Sequence, residues 1–250
     1  MIVAANNDKK LNWDFLREQL EASNIVKLTG FFDLKDLEYI TNISLTENSK
    51  NFVRQQSRAP SAYHDLKHEE VDYQPTPEEL TAISPAARAD HSFRMANYLS
   101  ENPSVKWNYE ITHLSRVIKL GQNKYRYAAH SKMFGTIYDI YKKLIPQAPL
   151  ENHFRKHILK YHNNSYFAPH RHKYEPQKYG LILLVSQRGE DYVEGGTQFY
   201  MNNTTVDTSN IENRGDIFIF RYDIPHAVKK TTCTEEQAGR LTAIMPWFEN

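Results

Sequence analysis

The stretch Ile158-Leu159-Lys160-Tyr161-His162-Asn163-Asn164-Ser165-Tyr166-Phe167-Ala168-Pro169-His170-Arg171-His172 decides how the chain is read. Its start favours a short strand, His157–Tyr161. Asn163-Asn164 then marks a turn, and Pro169-His170-Arg171-His172 reads as a second extended run. Alternate side chains of a strand share a face, so His170 and His172 on one strand reach a common point. Downstream, short apolar strands are expected at Gly180–Ser186, Thr197–Tyr200, Ile217–Phe220 and Leu241–Met245. The turn signals Gly195-Gly196, Asn202-Asn203 and Asn213-Arg214-Gly215-Asp216 separate them.

Upstream the pattern turns helical. Asn12 caps a stripe of Trp13, Leu16 and Leu20 at helical spacing, and Asp33 caps a second stripe of Leu34, Leu37 and Ile40. A short strand, Ile25–Leu28, lies between them. Residues 46–75 are polar and aperiodic, which in a compact domain points to a lid or binding loop. Thr76-Pro77-Glu78-Glu79 and Ser84-Pro85 are helix starts. Strand character begins at Trp107-Asn108-Tyr109 and is expected to continue over Lys124–Ala128. A helix then spans Ser131–Ile145, ended by Pro146. The expectation is one α+β domain over residues 1–250. Residues 1–103 are its mainly helical part, and 104–250 form an antiparallel barrel or sandwich.

The chain has 250 residues, with 31 basic and 30 acidic side chains. That balance gives no footprint for a nucleic-acid partner. Hydrophobic residues make up 40%, enough for a globular core. The single cysteine, Cys233, excludes an internal disulfide framework and a thiolate metal cluster. No apolar run approaches the ~20 residues of a membrane span. The N-terminal Met1-Ile2-Val3-Ala4-Ala5 lacks a basic region ahead of a long apolar one, so a cytoplasmic location is expected.

Three features of the β half converge on chemistry: His170 with His172, then His226 after Pro225, then Arg240 in Gly239-Arg240-Leu241-Thr242. Two imidazoles from one strand and one from a distant strand make a mononuclear metal site of a kind that suits Zn, Cu, Fe or Ni. A buried arginine nearby suits a carboxylate. Thr242 shares its strand face. His64 and His68 have helical metal spacing but lack the glutamate of the zinc-protease motif. His153 and His157 read as an ordinary pair.

The segment 158–172 resembles the metal-site strand and turn of the non-haem Fe(II)/2-oxoglutarate dioxygenases, in particular the prolyl-hydroxylase-like branch. Tyr192-Val193-Glu194-Gly195-Gly196-Thr197-Gln198-Phe199 resembles that family's acidic-Gly-Gly turn. Gly215-Asp216-Ile217-Phe218-Ile219-Phe220 with His226 resembles its Gly-Asp strand and distal histidine, and Gly239-Arg240-Leu241-Thr242 its closing strand. The resemblance covers roughly residues 154–248. It implies a double-stranded β-helix, a jelly-roll or cupin-like barrel with N-terminal and flanking helices. It also implies an Fe(II)- and 2-oxoglutarate-dependent oxygenase that consumes O₂ and releases succinate and CO₂. Carried over position by position, the metal ligands are His170, His172 and His226, and Arg240, Thr242 and Tyr161 hold 2-oxoglutarate. The family ordinarily has a carboxylate where this chain has His172. Iron bound by three imidazoles, Glu175 as the carboxylate, and a degenerate site are the readings left open. The bulk of His172 argues against a halide position there. A small-molecule substrate is expected. The alternatives are a three-histidine cupin-type dioxygenase that does not use 2-oxoglutarate, and a non-catalytic ligand- or protein-binding barrel.

Overall fold

The computed structural model describes residues 2–6, 11–46, 53–56, 107–113, 124–172, 174, 176–201, 204–235 and 238–247. Three α-helices lie among the described residues, and polar side chains cap the first two. In α1 (Trp13–Glu21) the Asn12 side-chain oxygen accepts the Phe15 N–H at 3.0 Å. In α2 (Leu34–Leu45) the Asp33 carboxylate accepts the Lys35 N–H at 3.0 Å. Helix α3 spans Lys124–Leu144. The strand expected over Lys124–Ala128 is therefore helix. Tyr125 and Tyr127 mimic a two-residue period, but no Gly or Pro interrupts residues 124–134 and good helix formers follow. On α3, Met133, Phe134, Ile137, Ile140, Tyr141 and Leu144 are buried, a 3.6-residue stripe.

Fourteen strands are described: β1 (Ile2–Asn6), β2 (Ile25–Thr29), β3 (Val53–Gln56), β4 (Trp107–His113), β5 (His157–Tyr161), β6 (Tyr166–His170), β7 (Tyr179–Leu184), β8 (Tyr192–Glu194), β9 (Thr197–Met201), β10 (Thr204–Asp207), β11 (Ile217–Arg221), β12 (His226–Val228), β13 (Thr232–Cys233) and β14 (Arg240–Ile244). Twelve belong to one sheet in the order β1-β2-β11-β7-β14-β5-β4-β6-β12-β9-β10, with β3 beside β4. β8 and β13 pair separately. The β1–β2 pair is parallel and the other pairs in this sheet are antiparallel. β3 falls inside the 46–75 stretch expected to be an aperiodic lid; residues 57–75, and both helix starts expected at Thr76 and Ser84, lie outside the described residues.

Phe220 on β11 and Phe199 on β9 are seven strand-to-strand steps apart in this order. A flat sheet would hold them about 33 Å apart. Their ring centroids are 4.8 Å apart. The sheet therefore doubles over, with β2, β11, β7, β14 and β5 in one layer and β6, β12, β9 and β10 in the other. Its order ends at β1 and β10 instead of closing, so the expected barrel is a folded-over double-stranded β-helix and not a closed one.

Strand alternation splits the first layer into two faces. Val26, Leu28, Leu181, Leu183, Ile217, Ile219, Leu241 and Ala243 pack outward in one cluster with Leu16, Leu20, Leu37, Ile40 and the α3 stripe. Leu184, Phe218 and Phe220 turn inward and meet Phe199 and Ile224. Arg240 and Thr242 alternate with Leu241 and Ala243, so they face the interior between the layers. No helix among the described residues is long and apolar enough to cross a membrane.

Candidate metal centre

β6 and β12 are antiparallel neighbours, and their ladder sets His226 opposite His170. The two imidazole centroids are 4.3 Å apart. His172 comes from beyond the strand, because β6 ends at His170. The expected His-x-His strand thus stops one ligand short. His172 is brought back by its own backbone, whose N–H donates to the Tyr222 carbonyl at 3.2 Å, and its ring stacks on Tyr222 at 4.3 Å. The ligand atoms of His170, His172 and His226 all lie within 4.8 Å of one another. Among the described residues no carboxylate joins them. Glu175 lies outside the described residues.

The hydrogen bonds of two of these rings leave the correct nitrogen for a metal. His170 Nδ1 lies 2.9 Å from the Ala168 carbonyl, and His226 Nδ1 lies 3.0 Å from the Ile224 carbonyl. A carbonyl only accepts, so Nδ1 carries the proton and the Nε2 lone pair remains available. Burial pushes the His170 pKa well below its usual range, and the neighbouring His226 and His172 push it further. His172 is held down at about 3 by burial and by His226. Burial brings His226 to about 4, against the opposing pull of its Ile224 hydrogen bond. All three are neutral at pH 7, the protonation state metal binding needs. Metal–nitrogen bonds of about 2.0–2.1 Å bring ligand atoms to roughly 3–3.5 Å of each other, so the rings close by an ångström or so onto an ion. The donor set fits a borderline divalent metal such as Fe or Zn.

Aromatic rings box in the imidazoles. Phe167 stacks on His170 at 3.9 Å, and Phe220 meets His226 at 4.7 Å. These contacts lock ring orientation and keep water from the back of the site.

The second part of the site lies two residues along the same ladder. β9 pairs Phe199 with His226 and Thr197 with Val228. Thr197 Oγ1 accepts from Nη2 of Arg240 at 2.8 Å, which ties the two layers together. Arg240 is completely buried. Tyr161 lies directly across the β5–β14 ladder, its ring centroid 5.7 Å from the guanidinium carbon. Thr242, two residues further on, is buried on the same strand face.

Arg240 does not stand alone, as the sequence reading expected. Glu212 accepts from its Nε at 3.0 Å and from Nη2 at 2.9 Å. The same carboxylate accepts from the Tyr192 hydroxyl at 2.7 Å, the Thr208 hydroxyl at 2.6 Å and the Thr197 N–H at 3.0 Å. Burial alone raises the Glu212 pKa, but the Arg240 charge and these donors outweigh it and hold the group below its usual range. Nη1 of Arg240 is buried with no hydrogen-bond partner among the described residues. A buried donor left unpaired costs about 1–3 kcal/mol, so an acceptor is missing here. Sequence reasoning missed Glu212. It lies in a polar loop, and only its four-residue spacing from Thr208 distinguishes it.

Gly195 and Gly196 act as a structural turn. A Cβ on Gly196 would fall 2.5 Å from the Ser209 backbone, and Gly195 has φ +123°.

No protein-family model matches the chain, and no curated protein matches it in sequence. Solved structures do. A Pseudomonas putida prolyl-4-hydroxylase superposes with TM-score 0.56 at 12% identity, over 95% of this chain and 99% of that one. The fold is that of the 2-oxoglutarate oxygenases. A Trichoplax adhaerens prolyl hydroxylase, solved with a peptide of hypoxia-inducible factor, matches at TM-score 0.54 and 11% identity, over 94% and 88% of the two chains. Arabidopsis thaliana dioxygenase for auxin oxidation 1, solved with 2-oxoglutarate, matches at 0.53 and 10%, over 100% and 93%. The resemblance first carried by residues 154–248 thus extends over nearly the whole chain as a likeness of fold.

Proposed function

We propose that the chain is an Fe(II)- and 2-oxoglutarate-dependent oxygenase that hydroxylates a small molecule. One observation carries this reading: three neutral imidazoles converge on one point, and the buried Arg240, which donates to Thr197 on the strand that pairs with His226, has a side-chain nitrogen with no acceptor among the described residues. His170, His172 and His226 would hold the iron. Arg240 Nη1 would receive the distal carboxylate of 2-oxoglutarate, with Thr242 and Tyr161 beside it. When bound, iron would let O₂ act as the oxidant, one oxygen atom going to the keto acid, which would leave as succinate and CO₂, and the other to the substrate. The chain's own part is to orient and to exclude water. His170 and His226 keep their Nδ1 protons on backbone carbonyls. Phe167, Phe220 and Tyr222 shield the imidazoles. The buried Arg240 fixes the far end in a low-dielectric setting, where its hydrogen bonds are strongest.

The balanced charge and the absence of a basic stripe support a small substrate over nucleic acid. A three-histidine set with no described carboxylate also suits a cupin-type dioxygenase that does not use 2-oxoglutarate. Arg240 favours the first reading. In the test, purified protein is loaded with Fe(II) and supplied with O₂ and 2-oxoglutarate. The expected result is one iron per chain and slow succinate formation without added substrate, both lost in His226→Ala. Iron retained by His226→Ala would rule out the ligand set. Iron bound without succinate would favour the cupin-type reading.

A further inference from the structure

Arg240 approaches the metal site already neutralised. Glu212 takes Nε and Nη2 in a side-on bidentate pair, and Thr197 takes a further Nη2 hydrogen. Arg240 and Glu212 are both fully enclosed, so the pair has no solvent to screen it. Glu212 is itself pinned by Tyr192, Thr208 and the Thr197 N–H, and cannot swing away without stranding those donors. What remains is Nη1, a donor without an acceptor on an ion pair of zero net charge.

Building on the function proposed above, we infer that Glu212 determines co-substrate specificity: it turns the Arg240 anchor from a free cation into a neutral pair with one open donor nitrogen, so the pocket requires an acceptor at the far end of the 2-oxo acid but not a second negative charge. A free guanidinium rewards a carboxylate with two parallel charge-assisted bonds. Here the incoming carboxylate meets the Glu212 charge across the guanidinium, and only Nη1 is open to it. An amide oxygen satisfies Nη1 as well and brings no repulsion. Glu212 is therefore a positioning residue, acting through Arg240, and its signature is a ratio of affinities and not a loss of folding.

The test compares two probes that differ only at the far end, 2-oxoglutarate and its C5 amide 2-oxoglutaramate. Each is titrated anaerobically into the Fe(II)-loaded protein, and binding is read from the visible metal-to-ligand charge-transfer band. In wild type the two dissociation constants are expected to agree within about tenfold, the worth of one charge-assisted bond over a neutral one. In Glu212→Gln the guanidinium charge is no longer balanced, and preference for 2-oxoglutarate is expected to widen at least about tenfold beyond the wild-type ratio. Tyr192→Phe, which removes one hydrogen bond to Glu212 but no charge, should leave the ratio unchanged. A wild-type preference above about tenfold overturns the inference without any variant. So does a folded, iron-loaded Glu212→Gln with an unaltered ratio. If neither acid gives a band in wild type, the failure lies one level up, in the proposed function, and the inference falls with it.

Discussion

Neutral imidazole is the form of histidine that binds metal; burial keeps His170 and His226 in that form, and the half-buried His172 is held there beside His226. The consequence for the metal-free protein is a dependence of stability on pH. An unfolded-chain histidine titrates near 6.5. In the fold His226 titrates at about 4 and His172 at about 3. Between these values the unfolded chain binds more protons than the folded one, so stability is full above about pH 6.5 and falls on acidification toward pH 4. Urea midpoints of apo-protein should decline from pH 7 to pH 5, and the slope should flatten in His226→Gln. A midpoint constant over that range would show that these rings are not buried as described. At this scale the sequence was legible where residue type and spacing act together. His170 and His226 follow prolines at strand boundaries, and Arg240 opens an apolar strand. Glu212 was not legible. Its burial depends on Tyr192, Thr208 and Arg240, which only the fold brings together.

At the scale of elements, strands rich in large buried apolar residues could be read and others could not. β7 and β11 are buried on both faces, so they appear as nearly continuous apolar runs, and β14 shows an apolar face of Leu241 and Ala243. β8, β10 and β13 are short or polar, and their pairing partners alone define them, as β2 defines β1. The start of α3 was misread because two tyrosines two residues apart imitate a strand. His172 was placed on a strand that ends before it, since a backbone bond to Tyr222 leaves no trace in sequence. Elements also set the shape of the site. A Cβ on Gly180 of β7 would lie 2.5 Å from Cζ of Phe220 on β11. Phe220 in turn contacts His226. Gly180→Ala should therefore destabilise the protein by about 1–3 kcal/mol through overpacking and also weaken metal binding. Leu241→Ala on the outer face of β14 should cost about 2–5 kcal/mol and leave metal affinity unchanged. Denaturant melts and metal titrations on both variants check the pair of outcomes. Equal effects on metal affinity would mean that the two faces of the layer are not independent.

At the largest scale, the described residues form a sheet folded over on itself with helices against one outer face. That plan explains why the site lies where it does. Helices α1, α2 and α3 bury the outward residues of the first layer, which leaves its inward residues to face β6, β9 and β12. The interior is apolar around Phe199, Phe218 and Phe220, and polar where Arg240, Glu212 and the histidines replace them. Arg240 to Thr197 is the polar tie between the layers. The reaction proposed here needs both ends of that interior at once, metal at the imidazoles and keto acid reaching to Arg240. The most direct measurement is an anaerobic titration of Fe(II) and then 2-oxoglutarate into apo-protein, followed by the visible charge-transfer band, in wild type, His172→Ala and Arg240→Lys. Arg240→Lys keeps the charge beside Glu212 but loses the planar fork. The account predicts a band in wild type, a weakened or absent one in His172→Ala, and a band requiring at least about tenfold more 2-oxoglutarate in Arg240→Lys. Iron bound by wild type with no band at any 2-oxoglutarate concentration would contradict it.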